Sequence, residues 1–259
     1  MKLSKFISVG ENIHCTRILK VGGKHVTRST NGEYVINFQS NGNSKQLPVP
    51  EKFQKNADWE SGKLKHCAAA IWQGNYGNKT NIQTAIDYLQ SMARAQQKAG
   101  ATYLDINVDE FSTDIEERIK LMKWIVDIVQ KAVSIPMSID SSNANILRAG
   151  LEACDKFKTR GKPMMNSVSL ERAETTDIAS EFGAVVIASA TGETSLPSTK
   201  EERILNLDRL LSKLTNKASL IPIFILIRSC SPYQPAEPTD WIFSIQFQTS
   251  AKNTAPIFI

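Results

Sequence analysis

Gly100-Ala101-Thr102-Tyr103-Leu104-Asp105-Ile106-Asn107-Val108 reads as a helix stop followed by a short, almost wholly apolar strand. Upstream, Ile82, Ala85, Ile86, Leu89, Met92, Ala93 and Ala99 keep helical spacing, opened by Thr80 with Gln83 as its capping-box partner. Downstream, a second helix opens at Thr113 with Glu116 and carries the stripe Ile115, Ile119, Met122, Val126, Val129 and Val133. An apolar strand between two amphipathic helices is the pattern of a parallel sheet covered on both faces.

The unit repeats outward from there. Pro136–Asp140 is the next strand, and Asn143 caps a helix with Ile146, Leu147, Gly150, Leu151, Cys154 and Phe157 inward. Pro163–Val168 is a strand, Glu171–Phe182 a weaker helix closed by Gly183, and Ala184–Ala190 an apolar strand. Thr199 with Glu202 opens a last helix carrying Ile204, Leu207, Leu210, Leu211 and Leu214. With Lys5–Val9 in front and a sixth strand in Leu220–Ile227, right-handed crossovers leave a doubly wound sheet or a (β/α) barrel.

Two regions break the series. Cys15–Asn78 is long and polar, with turn signals at Gly22-Gly23, Asn31-Gly32 and Asn41-Gly42; Lys24–Arg28 and Glu33–Gln39 form a hairpin in it. It reads as an insertion after the first strand. Ser219–Ile259 holds five of the ten prolines, no glycine and only four charged residues, and no helical period survives. That composition does not continue a βα series, and it fits a frameshifted or prematurely ended frame.

Composition narrows the function. Of 259 residues, 41% are hydrophobic and 22% charged, which excludes general disorder. No apolar run has the length of a membrane span, and Met1–Gly10 lacks a signal-peptide core. Cys15, Cys67, Cys154 and Cys230 are scattered without zinc-ligand spacing, so reduced, inert thiols in the cytoplasm are expected. The net charge of +5 is not gathered into a basic run. It leaves nucleic acid unsupported, and a small anion or an acidic protein fits it equally well.

Ligands in parallel α/β folds sit at the carboxyl ends of the strands. Those ends hold Gly10-Glu11-Asn12-Ile13-His14, then Asp105, Asn107 and Asp109-Glu110, then Asp140-Ser141-Ser142-Asn143, then Asn166-Ser167-Val168-Ser169. No histidine among His14, His25 and His66 is placed beside a nucleophile, and no glycine-rich phosphate loop occurs. Four successive strands thus deliver carboxylates or carboxamides to one rim. Such an array suits a flat heterocycle with several donors and acceptors.

These four strand-end motifs, in this order, resemble the pterin-binding (β/α)8 barrel family. The nearest members are the methyltetrahydrofolate:corrinoid methyltransferases and the folate module of cobalamin-dependent methionine synthase, related to the dihydropteroate synthases. The likeness covers about Lys5–His14 and Thr80–Leu214, including the segment Glu181–Arg203. It implies a TIM-type (β/α) barrel over residues 1–218, incomplete at the C-terminus, with residues 15–78 inserted. Residues 219–259 are then an atypical tail with at most one barrel strand.

The resemblance further implies methyltetrahydrofolate as substrate, its N5-methyl moving to a corrinoid held only on a partner protein. Asp140 would grip the pyrimidine edge, with Asp105, Asn107, Glu11 and Asn12 as further substrate-binding positions. Asn166 would bind near N5 and serve catalysis. No metal, membrane or nucleic acid is implied, and a homodimer is a further expectation. Where the family has Arg and Asn, this chain has Asn12 and His14, and the family's later Asp and Asn contacts have no counterpart.

Plainer readings stand beside these. Asp105 and Asn107 also fit the capping of a strand–helix turn, and Asp140-Ser141-Ser142-Asn143 fits a helix N-cap cluster. Glu11 is favoured to bond strand-end groups rather than ligand, and His14 and His66 to be satisfied histidines. Asn78-Lys79-Thr80 matches a glycosylation sequon but reads as a helix cap. Two alternatives to methyl transfer remain: a dihydropteroate synthase-like enzyme, which needs a phosphate-binding loop, and a non-catalytic, truncated pterin-binding protein.

Overall fold

In a computed structural model, residues 7–217 and 223–225 are described. Strand β1 (Val9–His14) leads into β2 (Ile18–Lys20), β3 (Val26–Arg28), β4 (Tyr34–Ser40) and β5 (Asn43–Pro48). Helix α1 (Ala57–Glu60), β6 (Lys63–Lys65), α2 (His66–Tyr76) and α3 (Lys79–Lys98) follow. Strand and helix then alternate: β7 (Tyr103–Asn107), α4 (Ile115–Gln130), β8 (Met137–Asp140), α5 (Ala144–Ala153), β9 (Met164–Val168), α6 (Thr175–Phe182), β10 (Val185–Ala188), α7 (Lys200–Lys217) and β11 (Ile223–Ile225).

The chain divides into two compact units. In the one made of Val9–Met137 and Ala153–Arg160, β1 pairs in parallel with β7. Leu104 through Asn107 are all buried, as a strand covered on both faces requires. Helix α3 packs on β1, β4 and β5 through Ala85, Tyr88, Leu89, Ala93 and Gln96. Its N-cap is Asn78 rather than Thr80: the Asn78 side chain accepts from Asn81 N at 2.9 Å. Helix α4 is capped by Asp114 rather than Thr113, the carboxylate accepting from Glu116 N at 3.0 Å. Asp is the stronger cap, so the helix begins one residue later. Phe157, expected inward, is 88% exposed, because α5 ends at Ala153 and the chain has already turned away.

The same unit holds the segment 15–78. Strands β3, β4 and β5 form an antiparallel sheet whose first hairpin turns at Asn31-Gly32, as read from the sequence. The second turns at Asn41-Gly42, both at positive φ, and so adds a third strand. Val26, Val35, Ile36, Leu47 and Val49 are buried. Helix α2 was not legible, because His66 through Ile71 are all buried and no polar face marks a helical period.

The other unit has its described residues within Met1–Ser8, Ser138–Glu152 and Gly161–Ile259. Here β8, β9, β10 and β11 pair in parallel, in that order. Helix α7 has the full capping box read from Thr199 and Glu202: Thr199 Oγ1 accepts from Glu202 N at 3.1 Å, and Glu202 accepts from Ser198 N and Thr199 N. Leu207, Leu210, Leu211 and Leu214 are buried, whereas Ile204 lies exposed. Gly183 closes α6 in the left-handed region, φ 56°. The strand expected in Leu220–Ile227 is present as β11; the rest of Ser219–Ile259 lies outside the described residues, as do Lys5 and Phe6.

Parallel strands joined by helices make the chain α/β. No helix among the described residues is long and apolar enough to cross a membrane.

Candidate functional site

Strands β8 and β9 run in parallel with Ser138 opposite Met164, Ile139 opposite Met165 and Asp140 opposite Asn166. Register partners in a parallel pair project to the same side. Asp140 and Asn166 therefore leave neighbouring strands on one face, at the carboxyl end, and both are half-buried. The N-cap cluster divides its labour. Asn143 Oδ1 accepts from Asn145 N and Ile146 N at the start of α5, and Ser141 Oγ accepts from Asn143 N. Asp140 stands one residue earlier, at the strand end itself.

The two strand ends are tied together. Ser141 N donates to the Asn166 carbonyl at 3.2 Å. Arg172, in the turn before α6, donates through Nη1 to the Ser141 carbonyl at 2.8 Å. Its Nη2 donates to the Ser167 carbonyl at 3.3 Å and to Ser167 Oγ at 3.2 Å. One guanidinium thus spans the residues that follow Asp140 and Asn166. Ser167 is also the extra residue of a bulge against β10, and the Asn166–Ser167 peptide is cis. Ser169, two residues further on, is 1% exposed, and its hydroxyl has no hydrogen-bond partner among the described residues.

The ends of β1 and β7 differ. The expected first strand Lys5–Val9 is corrected: β1 starts at Val9, because the pairing with β7 runs on to His14 opposite Asn107. Glu11 and Asn12 lie inside it at a bulge between Gly10 and Ile13, both exposed. Gln96 stabilises the bulge by accepting from Asn12 N at 3.0 Å, and its Oε1 lies 2.5 Å from where a Cβ at position 10 would stand, so a larger residue there would push the Gln96 side chain off that bond. Glu11 accepts from Arg17 through both its carbonyl and its carboxylate, at 2.8 and 2.6 Å. Its partner is thus a side chain, not the strand-end backbone expected from the sequence.

Asp105 and Asn107 are buried, 2% and 6% exposed. Asn107 Oδ1 accepts from Asp109 N at 2.9 Å, which is the turn-capping role. Lys65 lies 2.9 Å from Glu110 and 3.3 Å from Asp58, and these carboxylates hold its pKa above the ordinary lysine value. His14 Nδ1 lies 2.7 Å from Thr16 Oγ1 and accepts from Thr16 N. His66 bonds Tyr88, and burial depresses its pKa to about 4. Burial pushes the Cys67 and Cys154 thiols up to about 12 and Cys15 well above its usual value, which suits inert thiols. Among the described residues no three His, Cys, Asp or Glu side chains gather as a metal site.

Sequence reasoning missed Arg172 and Gln96. Gln96 carried a signal, a polar residue in phase with buried Leu89 and Ala93. Arg172 carried none, since two of its three partners are backbone carbonyls, and all three are brought to it by folding.

A family model described as "Pterin binding enzyme" matches residues 77–219. The chain belongs to this family. It is also 30% identical over 148 residues to the methylcorrinoid:tetrahydrofolate methyltransferase of Eubacterium limosum, across 55% of this chain and 51% of that protein. It therefore spans about half the length of that relative. Among solved structures it is similar to the Yersinia pestis dihydropteroate synthase in its sulfonamide complex, at 12% identity and a TM-score of 0.41. That match covers 73% of this chain and 66% of the other. For this pterin-binding family member, the ends of β8 and β9 are the candidate substrate site.

Proposed function

We propose that the chain binds methyltetrahydrofolate by its pterin at the ends of β8 and β9 and exchanges the N5-methyl with a corrinoid carried by a separate protein. The observation that carries this reading is the register of Asp140 with Asn166. A pterin's pyrimidine edge presents a ring N–H beside an exocyclic amino group, and one carboxylate accepts from both. Asp140 supplies that carboxylate. Asn166, one strand over on the same face, supplies an amide that both donates and accepts. It stays bonded whether N5 is neutral or protonated.

A neutral tertiary amine holds its methyl too strongly to release it, so N5 must gain a proton as the methyl departs. A group that stabilises the protonated state more than the ground state lowers the barrier. The partner's corrinoid supplies the cobalt that takes the methyl. The E. limosum relative is named for transfer from methylcorrinoid to tetrahydrofolate. The same residues serve both directions, because the forward and reverse reactions share one transition state. The reading takes residues 1–218 as the pterin-binding part, built as a TIM-type (β/α) barrel with 15–78 as an excursion and 219–259 as a tail. Asp105, Asn107, Glu11 and Asn12 are further substrate-binding positions in this proposal, each to be tested by its own substitution.

Isothermal titration tests the reading. The chain is expected to bind methyltetrahydrofolate, and Asp140→Asn to weaken it about a hundredfold, because an amide turns an amino group toward one of the pterin's donors. Tighter binding of dihydropterin pyrophosphate would move the assignment to a synthase. An unchanged affinity in Asp140→Asn would end it.

A further inference from the structure

Along one side of a pterin the 2-amino group, N3–H, the C4 carbonyl and N5 follow one another. If Asp140 takes the first two and Asn166 reaches N5, the C4 carbonyl lies between them. A buried carbonyl needs a donor, and neither a carboxylate nor an amide already engaged at N5 supplies it. Arg172 is a donor held between the same two strand ends. Its guanidinium spans Ser141, which follows Asp140, and Ser167, which follows Asn166.

Arginine has five N–H donors. Three are engaged with the Ser141 carbonyl, the Ser167 carbonyl and Ser167 Oγ. Among the described residues that leaves Nε–H and one Nη1–H. The three bonds also fix the plane of the group, so a further bond from it costs little side-chain freedom.

We propose that Arg172 donates to the C4 carbonyl of the bound pterin and so strengthens the site's selection of 4-oxo over 4-amino pteridines. This rests on the pterin reading. A 4-amino analogue turns a donor toward the guanidinium, which leaves both unsatisfied, and it lacks N3–H, so Asp140 disfavours it as well.

The test titrates the full chain with tetrahydrofolate and with its 4-amino-4-deoxy counterpart. The wild type is expected to prefer the 4-oxo ligand about tenfold or more, the scale of one hydrogen bond to a charged group. Arg172→Met should shrink the preference about tenfold by weakening the 4-oxo ligand alone, and leave the part that Asp140 sets. Arg172→Gln keeps an N–H that can reach one backbone carbonyl, and it provides the same measurement should the methionine variant fail to fold. Equal weakening of both ligands in the variants would reduce Arg172 to a brace and overturn the inference. So would a wild type that binds both ligands equally. A wild type that binds neither ligand would instead refute the pterin site itself.

Discussion

The carboxyl end of β7 and those of β8 and β9 hold the same residue types, yet they are built differently. After β7 the polar groups serve their own loop. Asn107 caps Asp109 N, Lys65 pairs with Glu110, and Arg118 lies 3.8 Å from Asp109. After β8 and β9 the strand ends are held by a residue from a later turn, Arg172, which acts on backbone carbonyls and one serine hydroxyl. A carboxylate or amide at a strand end is therefore ambiguous by position alone. What separates a loop-shaping group from a candidate ligand-binding one is which neighbour does the structural work.

Three substitutions sharpen that contrast. The largest effect is expected at Asn166. Asn166→Ala should slow methyl transfer by about a hundredfold while sparing most of the affinity, because its bond matters most when N5 carries the proton. Single-turnover rates beside titrated affinities would show it, and equal loss of both would dissolve the division of roles with Asp140. Asn107→Ala is next. Loss of its bond to Asp109 N should lower the unfolding free energy by about 1 kcal/mol, read by urea denaturation. Its affinity loss should be smaller than that of Asp140→Asn, and a larger one would move the principal pterin contact to β7. The smallest effect belongs to Arg17→Met. An exposed pair such as Arg17–Glu11 is worth about 0.5 kcal/mol or less. A drop above about 1 kcal/mol would show that the β1 bulge leans on it.

Much of the fold was legible because it rests on local chemistry. The all-apolar strand Val185–Ala188, the capping box of Thr199 and Glu202, and the Asn31-Gly32 turn each follow from the side chains of a few adjacent residues. Helix starts slipped by one residue where two capping residues compete, as at Thr113 and Asp114. Helix α2 stayed hidden because burial on every side erases its period.

By itself the sequence determined the alternation of helix and strand, and it placed Asp140 and Asn166 at strand ends, since hydrophobic period and capping act over a few residues. Tertiary structure alone decided three other things. It set Asp140 opposite Asn166, bulged β1 at Glu11 and Asn12 against Gln96, and brought Arg172 across two strand ends. Each depends on the register between segments distant in sequence, and backbone carbonyls, which carry no residue identity, supply most of the partners of Arg172.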